Sequence, residues 1–156
     1  MRIAKDAWAM ELARVTARRS TCLRRAVGCV LLNARGHVLA TGYNGVAAGL
    51  PHCNELGTIE SSYPHACPGA TAASGTQLDA CLAIHAEQNA LLQCRDVYEI
   101  DACVVTVSPC VTCTKLLMNT SCRRIIFAEE YAHNTEAERL WRSAGREWHH
   151  VKGSSK

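Results

Sequence analysis

The apolar patterning of the chain predicts an α/β domain: a sheet with helices on both faces and its later strands parallel. Two observations carry this. From His85 onward, helical periodicity, an apolar run and helical periodicity again follow one another, which is the order expected of strands joined by helical crossovers. Upstream, two apolar runs flank Asn33-Ala34-Arg35-Gly36, a turn composition that marks a hairpin. The length of 156 residues suits a single domain, 1–156, able to bury a core without disulfide staples.

Taken in order, Ala4, Trp8, Leu12 and Val15 recur at helical spacing, so the first element is expected to be an amphipathic helix that buries these residues and ends in the arginine-rich stretch. Strands are expected over 26–32 and 37–43. Residues 54 to about 80 are rich in Gly, Ala, Ser, Thr and Pro and lack periodicity, so they are expected to form an irregular insertion. A helix over about 85–95 precedes a buried strand at 103–107. Ser108 and Pro109 then suit the N-cap and first turn of a helix over about 110–120. A strand at 124–128 leads to a helix capped by Asn134 and stopped at Gly145, with a last strand near 147–151 and a frayed tail at 153–156.

A net charge of +3 is too small to argue for a nucleic-acid groove, and one Phe leaves no aromatic platform for single strands. No apolar run reaches membrane-spanning length. Ten cysteines without an N-terminal apolar signal stretch point to a reducing, cytoplasmic setting, in which thiols are metal ligands or packing residues. Cys29, Cys94, Cys103 and Cys122 lie in apolar or periodic segments and are expected to be small buried side chains.

The chemistry concentrates in His85-Ala86-Glu87 and Ser108-Pro109-Cys110-Val111-Thr112-Cys113. One imidazole and two thiolates give Zn²⁺ three ligands and leave a fourth tetrahedral position for water, the pattern of catalytic rather than closed structural zinc. At a spacing of three, Cys110 and Cys113 share a helix face, and the positive helix start favours thiolate. Glu87, two residues from the imidazole, is placed to move protons without binding the metal. A lone C-x-x-C would fit a redox pair or buried hydrophobes equally well; the combination with H-x-E is what discriminates.

These motifs, together with Arg19-Ser20-Thr21-Cys22, Val27-Gly28 and Thr41-Gly42-Tyr43-Asn44-Gly45, resemble in order the blocks of the zinc-dependent deoxycytidylate deaminases of the cytidine deaminase superfamily. The resemblance runs from about Arg19 to Tyr131. It implies a three-layer αβα fold around a five-stranded mixed sheet, and hydrolysis of dCMP to dUMP with release of ammonia, feeding dTMP synthesis. It also implies a homo-oligomer such as a hexamer, with activation by dCTP and inhibition by dTTP. By matching position, His85, Cys110 and Cys113 hold the catalytic zinc, Glu87 shuttles protons, and Asn44, Arg24 and Tyr131 contact the substrate. Gly42, Tyr43, Asn44 and Gly45 resemble the effector-sensing segment. From the residues alone, Asn44 suits a turn as well as a sugar or base edge, since its amide both donates and accepts.

Relatives often carry a second, structural zinc. Cys22, Cys53, Cys67 and Cys81 are the expected ligands here, because four thiolates close a tetrahedral site, with His52 and His65 as substitutes. Other readings of the same motif are a deaminase of 5-substituted dCMP or dCTP, a nucleic-acid or tRNA base deaminase, and a zinc module without catalysis. Glu87 argues against the last.

Overall fold

The computed structural model describes residues 1–53, 73, 76 and 81–152. Most of the expected insertion, including Cys67 and His65, and the tail 153–156 lie outside the described residues. Strands β1 (Gly28–Leu32), β2 (Val38–Tyr43), β5 (Ala102–Val107), β6 (Arg124–Glu129) and β7 (Glu147–His150) form a five-stranded sheet in the order β2-β1-β5-β6-β7. The β1–β2 hairpin and the β1–β5 pair are antiparallel, whereas β5–β6 and β6–β7 are parallel. The sheet is therefore mixed, with its parallel half late in the chain as expected. A two-stranded ladder joins β3 (Gly45–Val46) to β4 (Ala83–Ile84), and nothing in the residue pattern announced it.

Helix α1 (Lys5–Ala17) covers one face of the sheet. Its Ala9, Met10 and Ala13 pack with Val30, Leu32, Ala102, Val104 and Ile126. Helices α2 (Ala86–Gln93), α3 (Val111–Met118) and α4 (Thr135–Ser143) contribute to the core of the other face, where Ala86, Ala90, Leu117 and Trp141 meet Cys29, Leu31, Cys103, Val105, Ile125 and Phe127. Alternate residues of each strand thus serve opposite cores. The crossovers through α3 and α4 step the same way along the sheet, so a common hand puts both helices on the same face.

The face that α1 buries differs from the expected one. Ala9, Met10, Ala13 and Ala17 are buried, while Trp8 (37% exposed) and Val15 (61%) point outward, Ala4 is exposed, and Leu12 is half-buried. The cause is proximity. A Cβ at Gly28 would lie 1.9 Å from the Ala13 carbonyl oxygen and 2.6 Å from the Ala17 nitrogen, so helix and strand approach too closely for a bulky row between them. Alanine at every fourth position allows that approach. The same device recurs across the sheet, where a Cβ at Gly42 would fall 2.2 Å from the Ala86 oxygen and 2.4 Å from the Ala90 nitrogen of α2.

Two caps also depart from expectation. Ser108 does not start α3: the residue before a proline is held extended, so Ser108 continues from β5, and Cys110 is the N-cap, its Sγ accepting from the Cys113 N–H. Asn134 does occupy the N-cap position of α4, but its side chain donates to Ser108 Oγ at 3.3 Å instead of capping the helix. Cys29, Cys103 and Cys122 are fully buried as expected; Cys94 is half-buried, because it ends α2 and turns toward the Asp96 carbonyl.

Candidate active site

Helices α2 and α3 both begin at one end of the sheet, and their N-caps are His85 and Cys110. Each start is fixed locally. Gln88 Oε1 accepts from the His85 N–H at 2.8 Å, closing half of a capping box, and the close approach of Gly42 holds the first turn of α2 against β2. For α3, strand β5 runs directly into Ser108-Pro109, which delivers Cys110 to the helix start and Cys113 to its first turn.

Three side chains converge as a result. His85 Nδ1 lies 3.5 Å from Cys110 Sγ and 3.3 Å from Cys113 Sγ, and among the described residues this is the group of three or more candidate metal ligands that comes together. Zinc–sulfur bonds of about 2.3 Å and zinc–nitrogen bonds of about 2.0–2.1 Å in a tetrahedron put nitrogen and sulfur about 3.6 Å apart. The donor spacing therefore fits Zn²⁺ with little adjustment. Burial pushes the Glu87 carboxyl up to about 7, although a hydrogen bond from its own backbone N–H opposes this. Hydrogen bonding with Cys113 pushes the Cys110 thiol down to about 4, and Cys113 is raised in turn, since the shared proton stays on it. A metal would displace that proton.

Glu87, 4% exposed, His85 and Cys110 line a cleft of about 810 Å³, a size suited to a small-molecule ligand. Cys113 is buried beneath them. Arg24, Asn44 and Tyr131 also reach the cleft. Arg24 Nη2 donates to the Ala73 carbonyl at 2.8 Å. Asn44 is buried, with Oδ1 accepting from the Val27 N–H at 2.8 Å and Nδ2 donating to the Arg25 carbonyl at 2.6 Å, so its amide shapes the cleft wall. Gly42 is buried against α2; Tyr43 lies under the Arg19 guanidinium at 5.8 Å; Gly45 pairs with Ile84. Of the effector segment, only Asn44 is among the residues lining the cleft.

Ser108, His133 and Arg25 line the cleft as well; the sequence marked Ser108 only as a helix cap and Arg25 only as one of a basic cluster able to meet a phosphate, and it gave His133 no role. Ser108 Oγ accepts from the Tyr131 N–H at 2.6 Å and from Asn134, tying the loop after β6 to the turn that carries Cys110. His133 packs edge-on to Tyr131 at 5.6 Å, and Arg25 pairs with Glu129 at 2.8 Å. A serine before a proline was a usable signal for the first; an isolated His in a loop offers none. Of the expected second zinc ligands, Cys53 and Cys81 pack in one small cluster with Val46 and Leu82, Cys22 lines the cleft, and Cys67 lies outside the described residues.

Residues 3–129 match the family model of the cytidine and deoxycytidylate deaminase zinc-binding region. The chain belongs to this family. Among curated deaminase-family relatives, the deoxycytidylate deaminase of Schizosaccharomyces pombe is 35% identical over 149 residues, covering 90% of this chain and 42% of that protein. The deoxycytidylate deaminase of Mycobacterium phage D29 is 36% identical over 126 residues, covering 80% of this chain and 94% of its own length. The chain thus spans less than half of the fission-yeast relative and nearly all of the phage one. Among solved structures, the cyanophage S-TIM5 dCMP deaminase in complex with dCMP and dUMP superposes with a TM-score of 0.71 at 25% identity, covering 97% of this chain and 99% of that one. The fold is that of the cytidine deaminases, as the resemblance implied, and the His85, Cys110 and Cys113 cluster lies within the family's zinc-binding region.

Proposed function

We propose that this protein is a zinc-dependent hydrolase that deaminates deoxycytidylate, dCMP to dUMP, with release of ammonia. The observation that carries the reading is a buried carboxyl, held near neutrality, beside three zinc-competent donors on the floor of a cleft. The phage relatives, one of which binds dCMP and dUMP, support the substrate.

A zinc ion held by His85, Cys110 and Cys113 supplies the Lewis acidity that makes water nucleophilic near neutral pH. Glu87 does the proton work. A carboxyl near 7 exists in both forms at neutral pH, so it can take a first proton from water and deliver it to ring nitrogen N3, and then take the second from the hydroxyl left on C4 and pass it to the departing amine. Oxygen adds to C4, the C4–N4 bond breaks, ammonia leaves, and C4 keeps the oxygen as a carbonyl. Arg24 and Arg25 at the cleft wall give the 5′-phosphate cationic partners, and the Ser108 contacts keep Tyr131 in that wall.

The second zinc on Cys22, Cys53, Cys67 and Cys81, dCTP and dTTP as effectors sensed at Gly42–Gly45, a homohexamer and a cytoplasmic setting all belong to the same reading. Turnover of dCMP, 5-methyl-dCMP, dCTP and deoxycytidine tests it, with zinc counted per chain. Monophosphates are expected to be preferred. Equal turnover of deoxycytidine would remove dCMP as the substrate, and one zinc per chain would retire the second site.

A further inference from the structure

A second cavity, of about 370 Å³, lies between the start of α1 and the β1–β2 turn. Leu32 pairs with Ala102 and Cys29 with Val105, so this turn is at the opposite end of the strands from Ser108 and Cys110, about 20 Å away at the usual rise per residue. The two cavities share no lining residue.

Its walls are cationic and carry an indole. Arg2, Lys5 and Arg35 line it together with His37 and Trp8, and no carboxylate is among the lining residues. Three permanent positive charges gathered at one place with no carboxylate among the lining residues make the local potential positive. Among the described residues no carboxylate pairs with Arg2, Lys5 or Arg35. Asp6, the acidic residue of the first turn, faces Arg124 at 3.2 Å. The N-cap, Ala4, has no side chain to offer the helix, so the first N–H groups of a 13-residue helix add their positive end to the same cavity.

The site is built before any ligand arrives. Asn33 Oδ1 accepts from the Arg35 and His37 N–H groups at 3.0 and 2.9 Å, and Lys5 Nζ donates to the Arg35 carbonyl at 2.8 Å. Gly36, at φ +80°, leaves the floor low enough for the Lys5 stem to cross it: a Cβ there would lie 2.7 Å from Lys5 Cδ. Trp8 is 37% exposed beside these cations, although it stands on the face expected to be buried.

We infer that this cavity binds a nucleoside polyphosphate, with the phosphates on Arg2, Lys5 and Arg35 and the base against Trp8. Guanidinium groups and helix starts suit phosphate oxygens, an exposed indole suits a flat base, and the volume is in the usual range for small ligands. The inference is independent of the deaminase reading.

ATP, a purine nucleotide, is the probe. It is expected to quench the fluorescence of Trp8, since Trp141 and Trp148 are buried, and calorimetry should give one site. Arg2→Gln/Arg35→Gln is expected to weaken ATP at least tenfold while ammonia release stays unchanged. Trp8→Leu is expected to weaken ATP at least fivefold but inorganic triphosphate less than twofold. Equal ATP affinity in the arginine variant, with an unaltered circular dichroism spectrum, would overturn the site. Inorganic triphosphate binding as tightly as ATP would overturn the role of the base, and a short oligodeoxynucleotide displacing ATP at lower concentration would make this a strand-binding surface instead.

Discussion

At the residue scale, the proposed division of labour at the cleft floor is between groups that hold a metal and one that handles protons. Glu87→Gln keeps the shape of the carboxyl and removes its proton traffic, so it is expected to retain zinc while ammonia release falls about 10²–10⁴-fold; elemental analysis beside an ammonia assay checks both. Ser108→Ala loses the acceptor for Tyr131 N–H and for Asn134. The expected result is a raised KM with zinc content unchanged, because the loop loosens and the ligands do not, and a steady-state comparison with wild type measures it. This centre was legible from sequence because metal chemistry restricts both residue type and spacing: His85, Glu87, Cys110 and Cys113 could be named before any coordinate was known. His133 could not, since a loop imidazole gains meaning only from what the fold sets against it, and Ser108 offered no more than its place before a proline.

Elements tell a different story. Strand and helix order was readable from periodicity, and most boundaries lie within a residue or two of expectation. The buried face of α1 was not, because hydrophobicity ranks Trp8 and Val15 above Ala9, Ala13 and Ala17, and proximity to the sheet overrides that ranking. The β3–β4 ladder was silent for a related reason: two residues per strand carry no period. Gly28→Ala and Gly42→Ala each drive a methyl into helix backbone and are expected to destabilise the fold by about 1–3 kcal/mol or more, read as a lower urea midpoint. Arg146 belongs at this scale too. Its guanidinium donates to the carbonyls of Leu117, Met118 and Cys122 at 3.3, 2.8 and 3.0 Å and lies 4.9 Å over the Trp141 ring, so it closes the end of α3 and couples it to α4. Arg146→Ala is expected to cost about 1–3 kcal/mol by the same measurement.

For the molecule as a whole, the helices that bear the metal donors are packed on the sheet, α2 through the Gly42 contact and α3 through Leu117 in the shared core. Chelation is therefore expected to abolish ammonia release while leaving the far-ultraviolet circular dichroism intact, with a loss of thermal stability set by zinc affinity. Zinc retention should fall as pH is lowered, because the ligands bind metal only when deprotonated, and protons compete for Cys113 and His85, both of which hold theirs more strongly than an isolated thiol or imidazole. A chromogenic chelator followed across a pH series checks this.

Gly28 pairs with Tyr43 and Cys29 with Gly42, so the two glycines are diagonal neighbours on one hairpin, one beneath each helix. The hairpin is pinched there between α1 and α2, a ribbon pressed from above and below at the end of the strands that carries the cleft. A saturation screen scored only by survival would rank these positions beside Glu87, although their contribution is girth and not reactivity. Sorting such a screen by soluble yield would separate residues that keep the walls close from those that perform the chemistry between them.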